Sequence, residues 1–306
     1  MRLPDFLIVG AAKSGSTSLY RDLLRNPAIV FPAGKEPEGL AFDRVLTPEG
    51  LAAYAAPFAR ARPAPEQFAG DASQCYTVRP NIDGCAERAL RVLGPDRRII
   101  YIVRNPIERA LSHHYHDVRD GSVGPDPDTE LPAHPKFVNG GRYAYQIEPW
   151  LDAYGPDNVR IIRFEDFTRD RAAVVAEISS FIGAAPLPPA RPVATGEIHN
   201  RGERQRLPRG PGMILSGSLV YRRMLRPLVP QPLRAAGRSA ALPTAPPRPP
   251  VPSRDTLDWL RGRLAPDAER LAVILGATEP LWDLDATVER LSASPAAAAP
   301  RPRASA

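Results

Sequence analysis

Two short segments concentrate the groups that hold phosphate-like anions. The first is Gly10-Ala11-Ala12-Lys13-Ser14-Gly15-Ser16-Thr17-Ser18. Its glycines let the backbone approach a ligand, free N–H groups open a helix, and hydroxyls and one ammonium point into the same space. The second is Arg104-Asn105-Pro106-Ile107-Glu108-Arg109-Ala110-Leu111-Ser112. Here an arginine fork suited to a phosphate stands two helical turns before a serine hydroxyl. Each segment alone is a weak signal, and the alternative for the first is a Gly/Ser-rich turn that caps a helix. Together they imply a ligand phosphorylated at two separate places.

The elements that must position these loops come from hydrophobic patterning. Residues 5–9 and 98–103 are short continuous apolar runs, the pattern of buried parallel strands. Helices follow each: Leu19, Leu23 and Leu24 share a face in the first, and Ile107, Ala110, Leu111 and Val118 in the second, which has Pro106 in its first turn. A third strand over 159–164 precedes a helix marked by Val174, Val175, Ile178, Phe181 and Ile182. Strands alternating with helices predict an α/β fold, a P-loop-like three-layer arrangement with a central parallel sheet flanked by helices. In an open α/β sheet, ligands bind at the carboxyl ends of strands, where both segments fall.

The first loop departs from a Walker A sequence. Gly10, Gly15 and Thr17 fit G-x4-G-K-[ST], but serine holds position 16 and the lysine stands at 13. The strand over 99–103 ends in Arg104, not in a magnesium-binding aspartate. Both departures count against a P-loop kinase or other nucleotide-binding phosphotransferase, which stands as the alternative.

Composition bounds the rest. The chain has 306 residues, a formal net charge of +6 and a pI of about 9.6, which favours anionic partners without choosing among them. Only three of its 40 cationic side chains are lysine: Lys13, Lys35 and Lys136. The arginines are dispersed and no aromatic-interleaved platform appears, so nucleic acid lacks support. No run of ~20 apolar residues occurs, which excludes a membrane-spanning helix. The apolar run at the N-terminus is too short for a signal peptide, and a cytoplasmic protein is expected. Cys75 and Cys85 lie ten apart with no histidine at metal spacing, so no metal is expected.

One domain is expected over residues 1–290, with a Pro/Arg-rich irregular insertion at 205–252, a closing helical segment at 253–284 and a disordered tail at 291–306. The stretch Met213 to Leu228 reads either as a basic amphipathic helix touching a membrane or lipid-linked substrate, or as a surface helix packed on the core.

The pair FLIVGAAKSGSTSLY and IIYIVRNPIERALSHHYH resembles the two cofactor motifs of sulfotransferases that use 3′-phosphoadenosine 5′-phosphosulfate (PAPS). Further matches keep the family's order: Gly34-Lys35-Glu36-Pro37 with Phe42-Asp43, Gly70-Asp71-Ala72-Ser73 with Tyr76, Tyr145 to Trp150, Arg163-Phe164-Glu165-Asp166, and Leu271 to Trp282. The resemblance covers roughly residues 3–200 and 251–284. The KEP segment points to a bacterial branch akin to the heparan sulfate and carbohydrate sulfotransferases. Cys75 departs from the proline usual after the GxxS segment.

The resemblance implies transfer of a sulfonate from PAPS to a hydroxyl or amine of a carbohydrate, glycolipid or glycosylated metabolite. It assigns Lys13 to the 5′ side, with Ser14, Gly15, Ser16, Thr17 and Ser18 cradling that phosphate, and Arg104 and Ser112 to the 3′-phosphate. Glu36 is the implied general base beside Lys35, with Asp71 the next candidate carboxylate. Arg201 and Gly202 match a basic loop over the 3′-phosphate and adenine. His113, His114 and His116 are read as surface or packing residues, two of the three facing away from any one site.

Overall fold

The computed structural model describes residues 2–33, 36–61, 64–186 and 247–293. Five strands form one all-parallel sheet: β1 (Phe6–Gly10), β2 (Ile29–Val30), β3 (Phe68–Asp71), β4 (Arg98–Val103) and β5 (Val159–Arg163), in the order β2-β3-β1-β4-β5. The register sets Leu7 against both Asp71 and Ile99, and Tyr101 against Ile161.

The continuous apolar runs of β1 and β4 are explained by burial on both faces. Leu7, Val9, Ile99, Tyr101 and Val103 face one core. It is covered by α3 (Cys85–Leu93), α4 (Pro106–Asp120), α7 (Tyr143–Tyr154) and α10 (Arg254–Ile274). Phe6, Ile8, Ile100 and Ile102 face the other, under α1 (Ser16–Leu23), α8 (Phe164–Arg169) and α9 (Arg171–Ile182). The remaining helices among the described residues are α2 (Pro48–Ala61), α5 (Pro127–Ala133), α6 (Lys136–Asn139) and α11 (Leu284–Ser292).

Local chemistry starts and stops the helices that matter for the site. The Asn105 side chain accepts from the amides of Ile107 and Glu108, Pro106 opens α4, and Gly121 ends it in a left-handed conformation. Asp267 of α10 accepts from the amides of Ala144 and Tyr145 at 2.9 and 3.0 Å, so the closing helix caps α7.

The three expected strands are present, with Phe164 opening α8 instead of ending β5. β2 and β3 go unpredicted because one is two residues long and the other, Phe-Ala-Gly-Asp, has little apolar patterning. Leu24 does not share the buried face of Leu19 and Leu23: α1 stops before it and it is 43% exposed. Lys35, Arg201, Gly202 and the Met213 to Leu228 stretch lie outside the described residues. No helix among the described residues is long and apolar enough to cross a membrane.

Candidate active site at the carboxyl edge of the sheet

Four strand ends, read in spatial order, deliver the candidate residues. The segment with Glu36 follows β2, Asp71 closes β3, the Lys13 loop follows β1 and Arg104 follows β4. Neighbouring strands lie about 4.8 Å apart. The edge therefore carries carboxylates on one side of the Lys13 loop and a guanidinium on the other.

The Lys13 loop is tightly built. Lys13 itself has a φ of 69°, left-handed backbone that a non-glycine residue adopts only where its surroundings impose it. Ser14, Ser16 and Ser18 are buried, and Thr17 is half-buried. Gly15 has a φ of 96°, and a Cβ there would come within 2.6 Å of the Phe164 ring. Burial and the nearby Arg119 guanidinium push the Lys13 ammonium down to about 8, against the pull of Asp117 and Asp120.

Arg104 lies over the same Phe164 ring, 5.2 Å from its centroid, and donates to Glu108 Oε2 at 2.7 Å. The other Glu108 oxygen accepts from Arg290 of α11 at 2.6 Å. Tyr143 clamps the Arg104 backbone, donating to its carbonyl at 2.8 Å and accepting its amide at 3.3 Å. The Asn105 amide donates to Glu165 Oε1, and the Asn105 side chain donates to Thr287 of α11. Ser112 sits half-buried two turns into α4.

On the opposite flank Asp71 is fully buried and accepts three hydroxyl hydrogen bonds, from Ser73 at 2.6 Å and from Tyr54 and Tyr76 at 2.8 Å. Burial raises its carboxyl to about 6, against these donors and reinforced by the charge of Glu36. Glu36 is half-buried within electrostatic reach of Asp71 and Cys75. Both cysteines are free thiols.

The histidine expectation needs correction. Only His114 turns away, buried against the Gly124 carbonyl. His113 and His116 stand three apart on α4 and so share a face, and both feel the Lys13 charge. His113 also packs edge-on against Phe137, as a packing residue would. Burial, with Arg109, Lys13 and Lys136 beside it, drives it down to about 2, so it stays neutral.

Sequence reasoning missed the supporting cast: Tyr143, Glu108, Thr287 and Arg290 around Arg104, Tyr54 under Asp71, and Asp117 with Lys136 near Lys13. For Lys136 a signal existed, since lysine is so rare in this chain.

The arrangement is that of a P-loop-like α/β fold with anion-binding groups at its carboxyl edge. Residues 89–191 match the family model described as the sulfotransferase domain. Over 202 residues the chain is 30% identical to the human bifunctional heparan sulfate N-deacetylase/N-sulfotransferase 3, covering 60% of this chain and 23% of that protein. Over 196 residues it is 29% identical to the human heparan sulfate glucosamine 3-O-sulfotransferase 6, covering 60% of this chain and 53% of that one. The chain thus spans about half or less of the length of these curated relatives. A sulfotransferase crystal structure from Alicyclobacillus acidocaldarius shares the fold, with a TM-score of 0.59 and 24% identity over 91% of this chain and 98% of that one. The fold and these likenesses support a sulfotransferase family for the chain.

Proposed function

We propose that this protein transfers a sulfonate from PAPS to a hydroxyl or amine of a carbohydrate, glycolipid or glycosylated small molecule, with Glu36 as general base and no metal. One observation carries the reading: the Lys13 loop sits between carboxylates, Glu36 and Asp71, on one side and Arg104 on the other. The heparan sulfate enzymes among its relatives support a carbohydrate acceptor.

The residues fit a doubly phosphorylated donor. Arg104 Nε is buried with no partner among the described residues, and Lys13 has no ion-paired carboxylate there. Cationic donors therefore remain at the ends of two neighbouring strands, β1 and β4. The donor supplies a sulfonate activated by its phosphate leaving group. Glu36 takes the proton that the acceptor oxygen or nitrogen loses as it attacks sulfur. Lys13 stabilises the negative charge that gathers on the bridging oxygen as the S–O bond breaks, with the cradle of Ser14, Gly15, Ser16, Thr17 and Ser18 around the 5′-phosphate. Lys35, next in sequence to Glu36, adds a second ammonium at the reacting end. Arg104 and Ser112 hold the 3′-phosphate and so fix the register of transfer, and Arg201 and Gly202, outside the described residues, are assigned to the same phosphate by the sequence resemblance.

Adenosine 3′,5′-bisphosphate should raise the melting temperature well above the shift given by AMP, which lacks the 3′-phosphate. Equal shifts would remove the Arg104/Ser112 site. Glu36→Gln should keep the shift yet lose sulfonate transfer to saccharide acceptors, followed by mass spectrometry. Full activity of that variant would remove Glu36 as base.

A further inference from the structure

Asp117 lies on the face of α4 that looks toward the Lys13 loop, and its side chain is only 10% exposed. The ammonium of Lys136, the first residue of α6, sits 2.7 Å from Asp117 Oδ2. It also lies 5.2 Å from the Phe137 ring centroid. His113 Nε2 approaches the same oxygen at 3.8 Å, but His113 is neutral and does not neutralise the carboxylate. Asp117 also acts through space on the Lys13 ammonium, and still no ion pair joins them among the described residues. A buried anion and an unpaired cation thus coexist because the anion is already matched by Lys136.

We propose that Lys136 is a positioning residue for the donor site: by holding Asp117, it keeps the Lys13 ammonium free for the oxygens of the donor's 5′-phosphate. The inference rests on the role given to Lys13 above. Without Lys136, a poorly solvated carboxylate would face Lys13 stripped of its ion-pair partner. Lys13 would be drawn into that pair and away from the ligand. A metal ion is a poorer account of the same residues. His116, Asp117 and Asp120 bring ligand atoms within 4.8 Å of one another. Lys136 already occupies Asp117, and the positive charges of Lys13 and Arg119 lie close by.

Titration calorimetry with adenosine 3′,5′-bisphosphate tests the idea, with thermal melting to confirm that each variant folds. Lys136→Met should weaken binding by about ten-fold. Lys136→Gln, which keeps a hydrogen-bond donor but no charge, should weaken it in the same direction. Lys136→Arg should retain affinity. Asp117→Asn combined with Lys136→Met should restore it, because the competing anion is gone. Wild-type affinity in both Lys136→Met and Lys136→Gln would overturn the proposal, as would a double variant that stays as weak as Lys136→Met. Lys13→Met separates the two levels of argument. If it binds as well as wild type, the role of Lys13 and this inference fall together. If it binds weakly while Lys136→Met does not, only this inference falls.

Discussion

Tyr76 gives its hydroxyl proton to Asp71 at 2.8 Å and accepts the amide of Leu40 at 3.3 Å. Ser73 repeats the pattern, donating to Asp71 at 2.6 Å and accepting the amide of Glu38 at 3.1 Å. One buried carboxylate therefore grips the segment carrying Glu36 through two hydroxyls that bond alternate backbone amides. Arg88 fixes the same segment from its carbonyl side, donating to Leu40 and Ala41. Both oxygens of Asp71 are occupied by protein hydroxyls. That arrangement suits Asp71 to supporting the proposed base, Glu36.

That burial has a pH signature. The folded-state pKa of Asp71 is raised, from 3.8 to about 6, so the folded state binds this proton more tightly than the unfolded chain does. Its contribution is present below pH 3.8 and is lost as pH rises toward 6. Asp71→Asn does not titrate. Denaturant unfolding should show the variant's deficit largest near pH 4 and smaller by roughly 2–3 kcal/mol at pH 7. A deficit that grows with pH would contradict the burial argument.

Tyr76→Phe tests the grip itself. It removes one donor from Asp71 and leaves the Leu40 amide without its acceptor, a loss of about 1–3 kcal/mol in stability. The proposed donor cradle follows β1 and β4, not β3, so the melting shift from adenosine 3′,5′-bisphosphate should survive. Turnover should fall because Glu36 is less firmly placed. Loss of turnover together with loss of the nucleotide shift would mean general damage.

Lys13 makes the second pH prediction. Its pKa is pushed down to about 8, so in the free protein the ammonium is lost across that value. A ligand that binds the charged form loses affinity as pH rises above it, by up to about ten-fold per unit. Calorimetry between pH 7 and 9 should show adenosine 3′,5′-bisphosphate binding fall steeply in wild type. Lys13→Met should bind weakly with a flatter profile, and an unchanged profile would exclude Lys13 as the titrating group.

The parts of this site that were legible in the sequence are those made by contiguous residues. The buried strands β1 and β4 announce themselves by apolar runs, and the loops after them by glycine, hydroxyl and arginine. What could not be read is what the sheet order creates. Glu36 and Asp71 are 35 residues apart and meet only because short, poorly patterned β2 and β3 stand side by side. Arg290 reaches Glu108 across 182 residues through α11, a helix whose charge pattern gives no hint of a partner. Lys136 gets no role from sequence because α6 is a single turn, too short to show periodicity. The histidines do pack or lie at the surface, and only their facing differs from expectation, since a three-residue spacing places His113 and His116 on one face.

Gly15 joins the two proposed anion sites, which gives the most local prediction. Phe164 packs so closely on Gly15 that an added Cβ would lie 2.6 Å from its ring, and the left-handed φ of 96° is itself costly for any other residue. Phe164 in turn carries the Arg104 guanidinium on its face. Gly15→Ala should therefore cost about 2–4 kcal/mol in stability, from strain and overpacking together. Its effect on ligands should not stop at the 5′ side: moving the Phe164 ring displaces Arg104, so the preference for adenosine 3′,5′-bisphosphate over AMP should shrink. Phe164→Leu in the same background makes room for the methyl but leaves the φ penalty, and should recover only part of the stability. It also removes the aromatic face under Arg104, so the preference should stay low. Melting curves with each nucleotide separate these effects, and a Gly15→Ala protein with wild-type discrimination would break the link between the two loops.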